Sequence, residues 1–146
     1  MTTIPLKRIL LVDDSPRDTE LALDALAQHN LANEVVSLRD GVEALDYLRP
    51  DDPENPPADG YPKLVLLDLK LPRVGGIEVL RRLKTSERTR TIPVVVMTSS
   101  REESDLVASY KLGVNSYIVK PVDFEQFMHA VGELGLYWLL LNEIPK

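Results

Sequence analysis

The chain holds 146 residues, 44% of them hydrophobic and 27% charged, which suits one globular domain around one core. Its net charge of −6 argues against phosphate-backbone binding, which needs clustered Lys and Arg. Cysteine is absent, excluding disulfides and thiolate metal sites, and no apolar run approaches the roughly 20 residues of a membrane span.

Short β-rich runs alternate with amphipathic stretches, the pattern of an α/β fold with a parallel sheet. The first strand runs from Arg8 to Asp13, an apolar run ending in acid. Ser15 then offers an N-cap, Pro16 suits the first helical position, and Asp18 and Glu20 complement the positive helix start. This helix directs Leu23, Leu26 and Ala27 to the core and fades near Asn30. A second strand covers about Glu34 to Leu38. A second helix follows from Gly41 to Leu48, with Val42, Leu45 and Leu48 on one side. Pro50 to Pro62 reads as a loop, with five prolines, four acids and no periodicity.

The third strand, Leu64 to Asp68, again ends in acid, and a turn at Leu71 to Gly76 leads to a third helix marked by Ile77, Leu80 and Leu83. The basic residues Arg81, Arg82 and Lys84, with Arg88 and Arg90, read as a solvated helix face and its following loop rather than a DNA footprint. Pro93 opens the fourth strand, Val94 to Thr98. The fourth helix runs from about Glu102 to Leu112, with Leu106, Val107 and Tyr110 inward, and Gly113 stops it. The fifth strand is Ser116 to Val119. The fifth helix starts near Asp123 and uses Phe124, Phe127, Met128, Val131 and Leu134.

Five βα units with right-handed crossovers give a doubly wound sheet, whose sites lie at the carboxyl ends of its strands. Those ends deliver Asp13-Asp14, Asp68, Thr98 and Lys120-Pro121 to one edge. Like charges brought together are costly unless a cation neutralises them or a pKa rises. Oxygen ligands without nearby His or Cys suit a hard ion such as Mg²⁺. A Mg²⁺ site with a spare carboxylate, a hydroxyl and a lysine is chemically a phosphoryl-transfer site.

The segments Leu11-Val12-Asp13-Asp14, Leu67-Asp68-Leu69-Lys70-Leu71-Pro72, Val96-Met97-Thr98-Ser99 and Tyr117-Ile118-Val119-Lys120-Pro121 resemble those of bacterial response-regulator receiver domains. The match spans about residues 7 to 135, in order and at family-like spacing. It implies a flavodoxin-like (βα)5 fold of strand order 2-1-3-4-5 and a signalling protein rather than a conventional enzyme. By that resemblance Asp68 is the phosphoacceptor. Asp14 binds Mg²⁺ directly and Asp13 mainly through water, with the Lys70 carbonyl as a backbone ligand. Thr98 hydrogen-bonds the phosphoryl group, Lys120 meets its charge, Tyr117 is the switch aromatic that turns inward when Thr98 moves, and the Lys120-Pro121 bond is cis. Gly75-Gly76 stands where the family often has Asp-Gly, a change of turn that should not touch the chemistry. Lys70 and Ser100 occupy the variable positions that tune loss of the phosphoryl group.

The Pro-rich loop and the tail Leu136 to Pro145 look like those of stand-alone regulators paired with bacterial phytochrome kinases, so the expected partner is such a histidine kinase. Residues 1–135 form the receiver and 136–146 a hydrophobic extension of the last helix. On a helix, Leu136 to Leu141 is apolar all round, so Tyr137, Trp138 and Leu141 are expected to make homodimer contacts with helix four, strand five and helix five. The opening Met1 to Arg8 leaves no room for a signal peptide, which makes cytoplasm the default location.

Other readings fare worse. An aspartate-nucleophile phosphatase places a second Asp two residues after the first, where this chain has Lys70. A dinucleotide site needs a Gly-rich turn where Asp14 to Asp18 stand. A DNA-binding output is not expected, since the receiver pattern takes up these 146 residues. A receiver-like module that ignores phosphate is the main alternative, and the intact set Asp13, Asp14, Asp68, Thr98 and Lys120 argues against it. His29 and His129 read as surface residues.

Overall fold

Five short strands, β1 (Ile9–Val12), β2 (Val35–Leu38), β3 (Leu64–Asp68), β4 (Val94–Thr98) and β5 (Ser116–Val119), lie parallel in the order β2-β1-β3-β4-β5. The computed structural model describes residues 9–28, 35–58, 60–99, 104–114 and 116–135. Between the strands run α1 (Pro16–Ala27), α2 (Gly41–Leu48), α3 (Gly76–Lys84) and α4 (Ser104–Lys111), and α5 (Phe124–Glu133) follows β5. Strand alternation sorts the core into two layers. Leu10, Val12, Val65, Leu67, Val94 and Val96 meet α2, α3 and α4 on one face. Ile9, Leu11, Leu64, Leu66, Val95 and Met97 meet α1 and α5 on the other. β1, β3 and β4 are buried throughout, which is why they read as unbroken apolar runs. Each fully buried Leu or Val contributes on the order of 1.5–3 kcal/mol.

Register carries the site. Val12 pairs with Leu67, so Asp13, one residue on, stands beside Asp68; Thr98 pairs with Val119, one residue before Lys120. The caps hold the helices behind these ends. Ser15 Oγ accepts from the Asp18 N–H at 3.2 Å, with Pro16 in the first helical position. Asp40 and Asp123 cap α2 and α5 in the same way. Gly113, at φ +97°, takes the left-handed conformation that stops α4.

Several expectations need correction. Ala27 is exposed, and α1 instead buries Ala22, Ala25 and Leu26, the set at i, i+3 and i+4. Tyr110 is 44% exposed rather than inward. The inward position of α4 belongs to Ser109, a small residue whose hydroxyl donates to the Leu106 carbonyl at 2.7 Å and so carries no unsatisfied group into the core. Met128 is 38% exposed, because Phe127, Ala130 and Val131 fill the α5 stripe. β1 ends at Val12, leaving Asp13 just beyond the strand. The expectations for Arg8, His29, Asn30, Glu34, Ser100, Glu102 and the tail with Tyr137, Trp138 and Leu141 lie outside the described residues, as does the side chain of Val107.

Candidate functional site

Two buried carboxylates are built alike at the ends of neighbouring strands. Asp13 is 2% exposed and Asp68 5%. Asp13 Oδ1 accepts the Ser15 N–H at 3.0 Å, and Asp68 Oδ1 accepts the Lys70 N–H at 3.0 Å. Each acid thus uses one oxygen to hold the turn that follows it, and each offers Oδ2 to Lys120 Nζ at 2.9 Å. The Lys120 N–H in turn donates to the Thr98 carbonyl at 2.8 Å, fixing the end of β5 against the end of β4. Thr98 is buried there, and the Lys120-Pro121 peptide bond is cis, as the resemblance implies.

Asp14, exposed, completes a trio. One carboxylate oxygen each from Asp13, Asp14 and Asp68 lies within 4.8 Å of the others. Burial pushes the Asp68 carboxyl up to about 6, with the Asp13 charge adding to it, while the hydrogen bonds from Lys70 and Lys120 work the other way. Burial would lower Lys120, but its hydrogen bonds to Asp13 and Asp68 overturn that and hold it above the ordinary lysine value. One ammonium cannot neutralise this many acids. A hard divalent cation fits the cluster: its donors are all oxygens, and their spacing lets the three acids share one ion. Beside the trio, toward α1 and β2, a cleft of about 280 Å³ is lined by Asp13, Asp14, Thr19, Glu20 and Arg39.

Gly76 sets the floor. A Cβ there would stand 2.3 Å from the Asp68 carbonyl oxygen and 2.7 Å from Leu69 Cα, so the start of α3 can approach the Asp68 backbone only as glycine. Gly75, by contrast, has open space around it.

Sequence reasoning gave Asp18 only a helix-end role. The structure adds another: Asp18 Oδ2 accepts a hydrogen bond from Lys120 Nζ at 3.1 Å across 102 residues. Its place one turn after the first acidic strand end was the available signal. Tyr117 is half-buried on β5, its ring edge-on to Tyr110 with centroids 6.3 Å apart.

This fold and this acidic edge define a receiver. The chain belongs to the response regulator receiver domain family, whose model matches residues 9–132. It is 59% identical to the bacteriophytochrome response regulator AtBRR, whose solved structure aligns with a TM-score of 0.81 over 94% of this chain and 99% of that one. A structure of the phosphorylated cyanobacterial phytochrome response regulator RcpA aligns at 0.72 with 40% identity, covering 97% of this chain and 99% of that one. Response regulator Rcp1 of Synechocystis sp. is 39% identical over 97% of this chain and 95% of its own length. The Mn²⁺-bound form of Rcp1 aligns at 0.69 with 37% identity, covering 96% and 99% of the two chains. The protein is therefore a signalling receiver of the class that works with histidine kinases, related to phytochrome response regulators. Among the described residues no helix is long and apolar enough to cross a membrane.

Proposed function

We propose that this chain is a single-domain response regulator that accepts a phosphoryl group on Asp68 from a histidine kinase of the phytochrome type, in the cytoplasm. The observation that carries this reading is the convergence of Asp13, Asp14, Asp68 and Lys120 at the strand ends, with Lys120 Nζ 2.9 Å from both buried acids. Asp68 supplies the attacking oxygen. Its O–P bond forms as the P–N bond of the donor phosphohistidine breaks, and the electron pair returns to the imidazole nitrogen. Lys120 offsets charge on the phosphoryl oxygens, and Thr98 supplies a hydrogen bond to one of them.

Asp14 and Asp68, with the Lys70 carbonyl and with Asp13 acting mainly through water, would hold Mg²⁺. That ion supplies charge neutralisation at the transferring group. The domain would thus promote its own phosphorylation and its later loss, without turning over a separate substrate. Movement of Thr98 toward the phosphoryl group frees space for Tyr117 to turn inward from its packing on Tyr110, shifting the population of the β5 margin. The sequence of the tail supports a homodimer through α4, β5, α5 and Tyr137, Trp138 and Leu141.

Incubation with acetyl phosphate and Mg²⁺, followed by intact mass measurement, tests the reading. The wild type should gain one phosphoryl group and Asp68→Asn none. Equal labelling of both would defeat it.

A further inference from the structure

Lys120 has three N–H donors, and three carboxylates take them: Asp13 at 2.9 Å, Asp68 at 2.9 Å and Asp18 at 3.1 Å. An incoming phosphoryl oxygen therefore finds no spare donor on this ammonium. One of the three bonds must be released first. The Asp13 and Asp68 side chains are nearly sealed, at 1% and 7% exposure, so an oxygen released there would face little water. The Asp18 side chain is 31% exposed and can be hydrated when its bond opens.

Asp18 is not there by accident of a long side chain. Asp13 Oδ1 holds the Ser15 N–H, Ser15 Oγ holds the Asp18 N–H, Asp18 Oδ2 accepts from Lys120, and Lys120 returns to Asp13 Oδ2. The ring closes through four residues on two distant segments. It aims a third negative charge at the lysine that must greet an anion.

We propose that Asp18 is a positioning and specificity-determining residue: it parks Lys120 in the unphosphorylated state, and its charge selects against strongly anionic small phosphodonors. The inference rests on the phosphoacceptor reading of Asp68 and deepens it. A dianion such as acetyl phosphate meets twice the Coulomb repulsion from Asp18 that a monoanion such as phosphoramidate meets. In both reactions one Asp68 oxygen bonds to phosphorus. The donor's P–O or P–N bond breaks, and the electron pair leaves with acetate or with ammonia, whose nitrogen already carries its protons. Only the charge of the donor differs in the respect that Asp18 senses.

The test measures labelling rates of the wild type, Asp18→Asn and Asp18→Glu with each donor, at Mg²⁺ saturating for each variant. Asn keeps the size and an acceptor oxygen while removing the charge. Asp18→Asn should speed labelling by acetyl phosphate about fivefold and by phosphoramidate about twofold, as expected for one charge acting through partly screened solvent. Asp18→Glu should restore wild-type discrimination. Equal factors with the two donors would assign Asp18 a merely structural part, and unchanged or slower labelling would remove it from the site's control; either result overturns the proposal. A wild type that takes label from neither donor would instead bring down the phosphoacceptor reading, and this inference with it.

Discussion

At the carboxyl ends of β1 and β3, Asp13 and Asp68 are buried, each spends one oxygen on the turn behind it, and both share one lysine. Along β5 the same sheet ends differently. Tyr117 is half-buried, it leans on a Tyr110 that is 44% exposed, and a cleft of about 550 Å³ is lined by Tyr117, Glu125, His129 and Glu133. The first region is held by short bonds between backbone and acid, so it presents one geometry for chemistry. The second is held by ring contacts and exposed side chains, so its aromatic residues can repack at small cost. The proposed switch would use both: a rigid place to receive a group and a loose margin to report it.

The sharpest way to break this contrast is to disturb the rigid region from beneath. Gly76→Ala places a methyl group against the Asp68 carbonyl and should cost about 2–3 kcal/mol in urea unfolding and depress labelling of Asp68. Gly75→Ala, with open space and an extended backbone, should be close to neutral. Similar losses from both would mean that the close approach does not govern the site.

The proposed dimer is tested by removing residues 136–146. The sedimentation mass should fall from dimer to monomer while the labelling rate of Asp68 with acetyl phosphate stays within about twofold. An unchanged mass would exclude the tail from the dimer, and a lost labelling rate would show that the two regions are not separable.

The smallest effect concerns the rim between them and α2. The N–H of Glu43, which Asp40 caps, and the bidentate guanidinium of Arg73 lower the Asp40 carboxyl below its ordinary 3.8. A carboxyl depressed in the folded state stabilises it above the unfolded value and loses that contribution as pH falls through the folded value. The melting temperature of Asp40→Asn should therefore lie slightly below wild type at neutral pH and converge with it well below pH 3.8. A gap that stays constant into acid would assign the effect to packing instead of charge.

Much of this molecule is written locally. The bounds of β3, β4, β5 and α2, the Ser15 cap and the Gly113 stop follow from apolar runs and from turn chemistry acting over a few residues. So does the list of acids, hydroxyl and lysine at the strand ends, because a doubly wound sheet must present strand ends together. Three things were decided only in three dimensions. Ser109 rather than Tyr110 faces inward, since a hydroxyl that bonds back to Leu106 fits the space between α4 and the sheet where a ring does not. Gly76 is needed for its approach to a backbone eight residues earlier. Asp18 reaches Lys120 because the fold brings the start of α1 and the end of β5 to one edge of the sheet, although β3 and β4 lie between β1 and β5. Periodicity and capping act within a turn or two of chain, whereas these contacts depend on how layers stack. That stacking is set by the sum of the core, which no single stretch of sequence contains.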